Sequence, residues 1–390
     1  MTAVCLITQE FPPDTAWGGI ATYAAHLADG LVRAGCSVTV ISRSMNGAES
    51  REERGDLVVW RIPNTVRPSP LPNFIARPLA VRRLLRTLQR RFDVIEYPSW
   101  TGEAAFIPRS AAEVLAVRLV TTVRTAQRYS KTTLRQRAAA PILHRLESAA
   151  VRRANVRMAG TTDHARSSAA EFGVPRESIR IVPLGIPLPR ERPPSGAPIV
   201  LIVGRLEPRK GTEIALRAAE IVAAEMPEAR FVFAGQVGRD LRGISYRDLV
   251  ARNSTLSGCV ALLGRVDAAS LALLREECSV IVVPSLAESF GLTYLEAMAA
   301  GRALVAFDIP AARELLASAG IPVVPPTAEA LAGELLDLLS DKARCRRVGE
   351  IGRTLVRERY TVERMVADTL SAYAGRSRER TDTTRGGALT

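Results

Sequence analysis

A chain of 390 residues, 47% hydrophobic and 24% charged, has room for two domains with separate cores and the make-up of a globular protein. Its five cysteines (Cys5, Cys36, Cys259, Cys278, Cys345) are scattered and its three histidines isolated, which argues for reduced thiols and against a disulfide framework or a multi-histidine metal centre. The net charge of +13 sits almost wholly in the first half: residues 1–190 carry 27 Arg and Lys against 15 Asp and Glu, and residues 191–390 carry 26 against 25. That asymmetry points to an anionic ligand, an anionic membrane surface or solubility, and nucleic acid ranks last because aromatics are sparse at 5%. The chain opens directly on a strand pattern, with neither a leader-like segment nor an apolar run long enough to span a bilayer, so the expected place is the cytoplasm.

In chain order, Val4-Cys5-Leu6-Ile7 reads as a first strand, residues 20–34 as a helix stopped by Gly35, and Val38-Thr39-Val40-Ile41 as the next strand. Gly18-Gly19 stands just before that helix, where paired glycines either admit a ligand to the backbone or only make the turn. Leu57–Ile62 is another strand. Residues 77–91 form a basic amphipathic helix, with Leu84, Leu85 and Leu88 on one side and arginines on the rest. A surface helix over a sheet is the first reading, and contact with an anionic membrane is the second. Strands at 93–100 and 119–124 deliver polar residues to their C-terminal ends, Arg124 among them. A helix at 134–153, a strand at 156–159, a helix at 163–172 and a strand at 179–182 complete this half.

Residues 191–198 have the composition of a linker, placing one domain at 1–190 and a second at 199–365. A helix at 366–375 is expected to cross back to the first, and residues 376–390 lack a core pattern and read as a disordered tail. The second half restarts the alternation. Strand 199–203 leads to Gly204-Arg205-Leu206-Glu207-Pro208-Arg209-Lys210-Gly211 and a helix from Thr212; strands 231–234 and 260–263 end at Gly235 and at Gly264-Arg265-Val266. Strand 280–283 ends at Pro284-Ser285, and a helix covers 292–300, with Gly291 at the turn before it. Both halves are thus α/β units with doubly wound parallel sheets, expected to face one another across a cleft. Ligands of such sheets bind at the C-terminal ends of the strands. There Arg205 and Lys210 suit a diphosphate, and a helix N-terminus favours an anion. Glu288 and Glu296 suit sugar hydroxyls, or are solvated glutamates of an ordinary turn. No aspartate pair marks a Mg²⁺ site, so no metal and no cofactor beyond a nucleotide-sugar co-substrate is expected.

The combination of Gly204-Arg205-…-Lys210-Gly211 with Glu288-Ser289-Phe290-Gly291-Leu292-…-Glu296, two glutamates separated by seven residues, resembles the family-4 retaining glycosyltransferases of the two-domain GT-B fold. The first half resembles them more loosely, through Phe11-Pro12-Pro13, Gly18-Gly19 and Val182-Pro183-Leu184-Gly185-Ile186. The resemblance implies retaining transfer of a hexose from a nucleotide diphosphate sugar, UDP before GDP, to a hydroxyl of a glycan precursor, a lipid-linked glycan or a small metabolite. It implies that Arg205 and Lys210 hold the diphosphate and Glu288 the hexose, and that Glu296 holds the ribose. Backbone at Gly204, Gly235, Arg265 and Val266 would line the nucleotide, the segment Ser289, Phe290, Gly291, Leu292 and Thr293 would touch sugar and phosphate, and Gly18 and Gly19 would approach from the other domain. The glutamates are then not the acid–nucleophile pair of a glycosidase.

Three positions depart from the family. Arg124 stands where a histidine is common, Leu184-Gly185-Ile186-Pro187 where Asn-Gly-Val-Asp is frequent, and Asp308-Ile309-Pro310 where a Gly-Gly loop is usual. Arg124 could replace the histidine or bind an anionic donor or acceptor, or be purely structural. A nucleotide-sugar epimerase or hydrolase of the same fold, or a non-catalytic donor-binding partner subunit, are the alternatives these changes leave open.

Overall fold

The structure is a computed structural model that describes all residues except 16–17, 46, 64–71, 130–132, 191–195 and 386–390, and the side chains of 135 and 376–385. The chain divides into two compact units. One holds the chain up to Gly185, apart from Ala126–Thr132, together with everything from Val362; the other is built on Ile186–Thr361. The division falls at Gly185, a few residues before the proline-rich stretch at 191–198, whose residues 191–195 lie outside the described ones.

The first unit is built on an eight-stranded sheet: β1 (Ala3–Ile7), β2 (Ser37–Ser44), β3 (Ser50–Arg54), β4 (Leu57–Pro63), β5 (Phe92–Pro98), β6 (Ala112–Arg118), β7 (Val156–Ala159) and β8 (Ile179–Ile181). The order is β3-β4-β2-β1-β5-β6-β7-β8, parallel throughout except for β3. Strand β1 is flanked by β2 on one side and β5 on the other, so the order reverses there. Strands buried on both faces need apolar side chains on both, and Val4, Cys5, Val38, Val40, Ile95 and Val117 are all fully enclosed.

The helix Val362–Arg385 packs on the helix Gly19–Arg33 within this unit. Contact is close enough that a Cβ on Gly30 would lie 2.5 Å from Val366 Cγ2. A buried polar cluster fixes it to the sheet: Tyr23 and Tyr373 both donate to Glu96, while Arg118 donates to the Val182 carbonyl at 2.9 Å and to Thr369 Oγ1 at 3.2 Å. Glu96 is therefore structural, although its strand was expected to carry polar groups to a ligand edge. The helix continues to Arg385, past residue 376 where the sequence pattern predicts disorder, and residues 386–390 lie outside the described ones.

The second unit has a six-stranded, wholly parallel sheet: β9 (Ile199–Val203), β10 (Arg230–Ala234), β11 (Val260–Gly264), β12 (Val280–Val283), β13 (Ala303–Phe307) and β14 (Val323–Val324), in the order β11-β10-β9-β12-β13-β14. Here β9 pairs with both β10 and β12, so the reversal lies between the loops that follow β9 and β12. An open α/β sheet places its ligand crevice at that reversal. Those two loops carry the two sequence motifs. All five cysteines are reduced and buried, and no helix among the described residues is long and apolar enough to cross a membrane.

Candidate functional site

Beyond β9 the chain turns at Gly204 and runs through a short 3-10 turn, Pro208–Lys210, into the helix Thr212–Glu225. Gly211 makes this possible: its φ is +64°, and a Cβ there would lie 1.9 Å from the Pro284 carbonyl oxygen. Only glycine lets the loop after β9 lie against the loop after β12. Two hydrogen bonds then join them, Leu286 N–H to the Arg209 carbonyl at 2.8 Å and Arg209 Nη1 to the Ala287 carbonyl at 3.0 Å. The neighbouring loops follow the same rule. A Cβ on Gly235 would lie 1.9 Å from the Gly204 oxygen, and Gly235 N–H donates to the Gly264 carbonyl at 2.7 Å. The glycine-ended strands β9, β10 and β11 thus present one continuous edge.

On that edge Glu288 is the centre of charge. Its side chain is only 10% exposed; Lys210 Nζ donates to Oε1, Ser285 Oγ donates to the same oxygen at 2.8 Å, and Arg209 Nη1 lies 3.9 Å from Oε2. Burial by itself would raise its proton affinity, but the charges of Lys210 and Arg209 and the hydrogen bonds from Lys210 and Ser285 hold it below the ordinary carboxylate range. Glu288 is therefore an anion at neutral pH and accepts hydrogen bonds. It has no proton to give.

Arg205 keeps its side chain 59% exposed, with one nitrogen 3.5 Å from Glu207, which also pairs with Arg209 at 2.9 Å. Its guanidinium stands at the rim of the edge, where a bulky anion can reach it. The helix Leu292–Ala299 starts at Gly291 in a left-handed conformation, φ +91°, and no side chain caps it. Its first amides and dipole therefore remain for an anion. Phe290 contributes backbone only, since its ring is buried edge-on against Tyr360 with centroids 6.2 Å apart. Ser289 and Thr293 are half-buried beside it. Gly264 ends β11 and Arg265 and Val266 follow it, with Arg265 donating to Gln236 at 2.9 Å.

Glu296 differs from Glu288. Burial raises its proton affinity, and Arg275, which donates to Oε2, offsets only part of that. One oxygen is already engaged, so a ligand hydroxyl would share this carboxylate with Arg275. Among the described residues no group of three or more His, Cys, Asp or Glu side chains is gathered as a metal would require.

Gly18, Gly19 and Arg124 belong to the first unit. Gly18 and Gly19 are exposed at the start of the helix Gly19–Arg33. Arg124 is not at a strand tip: β6 ends at Arg118, six residues earlier than the β-branched run 119–124 suggests, and Arg124 is exposed on the short helix Val123–Arg128. Ala112–Arg118 wins the central place because it registers against β5 and β7, and tertiary pairing outweighs local β-propensity. Sequence reasoning also passed over Arg209, Ser285 and Arg275. Arg209 lies inside its motif, beside Lys210, and Ser285 stands two residues after β12 and three before Glu288; nothing in the sequence signals that Arg275 meets Glu296 across 21 positions.

A parallel α/β sheet whose cationic and glycine-rich loops meet at the topological reversal defines a nucleotide-sugar-binding unit of the GT-B class. Residues 188–355 match the family described as Glycosyl transferases group 1, and residues 18–185 match Glycosyl transferase 4-like domain. The chain belongs to this glycosyltransferase family, and its donors are nucleotide sugars. It is 27% identical over 330 residues to a D-inositol 3-phosphate glycosyltransferase of Pseudarthrobacter chlorophenolicus, covering 76% of each chain. It is 34% identical over 179 residues to a phosphatidyl-myo-inositol mannosyltransferase of Mycolicibacterium smegmatis, covering 45% of this chain and 44% of that one. Among solved structures it superimposes on a sucrose-phosphate synthase from Thermosynechococcus elongatus with a TM-score of 0.78 at 22% identity, covering 96% of this chain and 99% of that one, a likeness of fold.

Proposed function

We propose that the protein is a retaining hexosyltransferase that takes a hexose from a nucleotide diphosphate sugar, UDP before GDP, and gives it to a hydroxyl acceptor. The observation that carries this reading is the Lys210–Glu288 pair at the reversal between β9 and β12, beside the exposed Arg205 and the uncapped helix at Gly291. In this reading Lys210 and Arg205 neutralise the diphosphate, and the amides from Gly291 to Thr293 complete its cradle. Glu288, ionised, accepts hydrogen bonds from hexose hydroxyls, and Glu296 with Arg275 orders the ribose. The bond from the anomeric carbon to the phosphate oxygen breaks, and the bond to the acceptor oxygen forms on the same face. The acceptor proton passes to the departing phosphate oxygen, so no protein base is needed. Positive charge from Lys210 and Arg205 substitutes for a metal.

Incubation of the purified protein with UDP- and GDP-hexoses, with and without hydroxyl acceptors, tests this. The expected result is acceptor-dependent release of the nucleoside diphosphate, with the product keeping the donor's anomeric configuration by NMR. Inverted product would remove the proposed mechanism, and absence of nucleotide binding would remove the donor site itself.

A further inference from the structure

The loops at the ligand edge of the first sheet are tied to one buried carboxyl group that the donor reading does not use. By the rule that places the crevice of the second sheet, the crevice of the first lies between the C-terminal ends of β1 and β5. Gln9, two residues after β1, donates its side-chain amide to Thr101 Oγ1 in the loop after β5. Val120 N–H, two residues after β6, donates to Ser99 Oγ of the same loop at 3.1 Å. Glu147, on the helix Leu134–Arg153, gathers both loops: Oε1 accepts from Thr101 N–H at 3.1 Å and from Val123 N–H at 3.3 Å. The loop after β5 is pressed against that helix, since a Cβ on Gly102 would lie 2.5 Å from the Leu146 carbonyl carbon. Thr101 holds a left-handed backbone, φ +56°, which a β-branched residue keeps only where its surroundings impose it.

The surroundings make this tether depend on a proton. The Glu147 side chain has no exposure, and Oε2 meets no partner among the described residues. Burial raises its pKa to about 7; the two amides pull the other way, and Glu171, on the helix Thr162–Phe172, adds to the rise. The other charged groups nearby are directed elsewhere. Glu171 accepts from Thr122 Oγ1 at 3.2 Å. His144, one turn before Glu147, has Nδ1 3.8 Å from Glu171 Oε1, and burial, Arg124 and Arg152 lower its proton affinity. Arg152 donates to the Phe172 carbonyl at 3.0 Å, and Arg124 is exposed. His164, which hydrogen-bonds the Val120 backbone, is kept neutral by burial, its pKa down at about 4. The neutral acid therefore fits its enclosure. The anion is a buried charge without a cation, and it is relieved when the loops part and admit water.

We propose that Glu147 is a positioning residue of the acceptor edge: its neutral carboxyl holds the loops after β5 and β6 in place, and its ionised form releases them. That these loops serve the acceptor rests on the transferase reading, whereas the proton-controlled tether stands or falls by itself. The closed loops keep the proton to about pH 7, and the open, hydrated carboxyl releases it near 4.5. Closure is therefore favoured at low pH and lost as pH rises through 7, and the open-to-closed ratio should rise about tenfold between pH 6 and pH 8. Hydrogen exchange of the full chain, read by mass spectrometry and corrected for the intrinsic pH dependence of amide exchange, measures that ratio. Three proteins are compared: the native chain, Glu147→Gln and Glu147→Ala. Glutamine keeps the accepting oxygen and cannot ionise, so it stands for the neutral acid.

In the native chain, opening of segments 96–107 and 119–128, which hold the Thr101 and Val123 amides, is expected to rise about tenfold from pH 6 to pH 8. Glu147→Gln should stay closed at both pH values and Glu147→Ala open at both. The donor-edge segments 204–211 and 284–293 should not respond in any of the three. No rise in the native chain, a rise retained in Glu147→Gln, or an equal rise across the whole chain would each overturn the tether. The last outcome would make Glu147 a stabiliser of the whole fold and nothing more. If Glu147→Ala fails to fold, the native chain and Glu147→Gln decide the matter between them. Saturating UDP should protect the donor-edge segments at both pH values; protection of 96–107 and 119–128 in their place would overturn the assignment to an acceptor. If UDP fails to bind any of the proteins, the donor reading fails while the loop response is still read independently.

Discussion

Two glutamates, one in each unit, show how differently the fold uses the same side chain. Glu288 of the second unit is nearly enclosed, yet Lys210, Arg209 and Ser285 hold it ionised. Glu147 of the first unit is fully enclosed and, among the described residues, meets only backbone: Oε1 accepts from Thr101 N–H at 3.1 Å and Val123 N–H at 3.3 Å, and Oε2 has no partner there. Burial raises its pKa to about 7, against which the two amides are insufficient, and Glu171 adds to the rise. Burial is common to both; the presence of cations decides the proton. Glu288 is thus suited to accept hydrogen bonds from a ligand. Glu147 ties together the loops after β5 and β6, including Thr101 in a left-handed conformation with φ +56°.

The largest expected effect breaks the comparison on the cationic side. Glu288→Gln or Lys210→Met should lower the transfer rate by about a hundredfold to a thousandfold, the range seen when one charge-stabilising group is lost. Circular dichroism should remain native, and wild-type turnover in either variant would remove Glu288 and Lys210 from the site. Next, Gly211→Ala should destabilise by about 3 kcal/mol in urea titration, because the new Cβ meets the Pro284 oxygen and the left-handed backbone is strained.

The pH response sharpens the contrast between the glutamates, because the signs are opposite. Folded Glu147 keeps its proton to about pH 7, while the unfolded chain releases it near 4.5. The folded state binds more protons in that window, so this contribution is full below the unfolded value and is lost as pH rises through 7. Comparing the native chain with Glu147→Gln between pH 4.5 and 7.5 should expose a slope totalling up to about 3 kcal/mol. For Glu288 the folded pKa is lowered, so its contribution is present above the unfolded value and lost as pH falls. The native-minus-Glu288→Gln difference should accordingly shrink on acidification.

Much of the second unit was legible because its strands are short apolar runs and its loops end in glycine. Val280–Val283, Pro284-Ser285 and Gly291 define a strand, a turn and a helix start, and the structure places them so. Less could be read where function depends on polar side chains meeting across the fold. Strand β3, Ser-Arg-Glu-Glu-Arg, has no apolar alternation and exists through antiparallel pairing with β4. Glu147 lies in an ordinary-looking helix, Leu134–Arg153, and its isolation from cations is visible only once Thr101 and Val123 are brought to it. The basic excess of the first half was countable, but not that two of its arginines, Arg43 and Arg77, would share the Glu103 carboxylate.

The central claim is that the edge formed by the loops after β9 and β12 binds the diphosphate of the donor. Calorimetric titration of UDP into the native chain and into Lys210→Met tests it most directly. The expected result is saturable one-to-one binding to the native chain, weakened by about a hundredfold in the variant, a loss of roughly 2.7 kcal/mol. Equal affinity of the two proteins for UDP would contradict it.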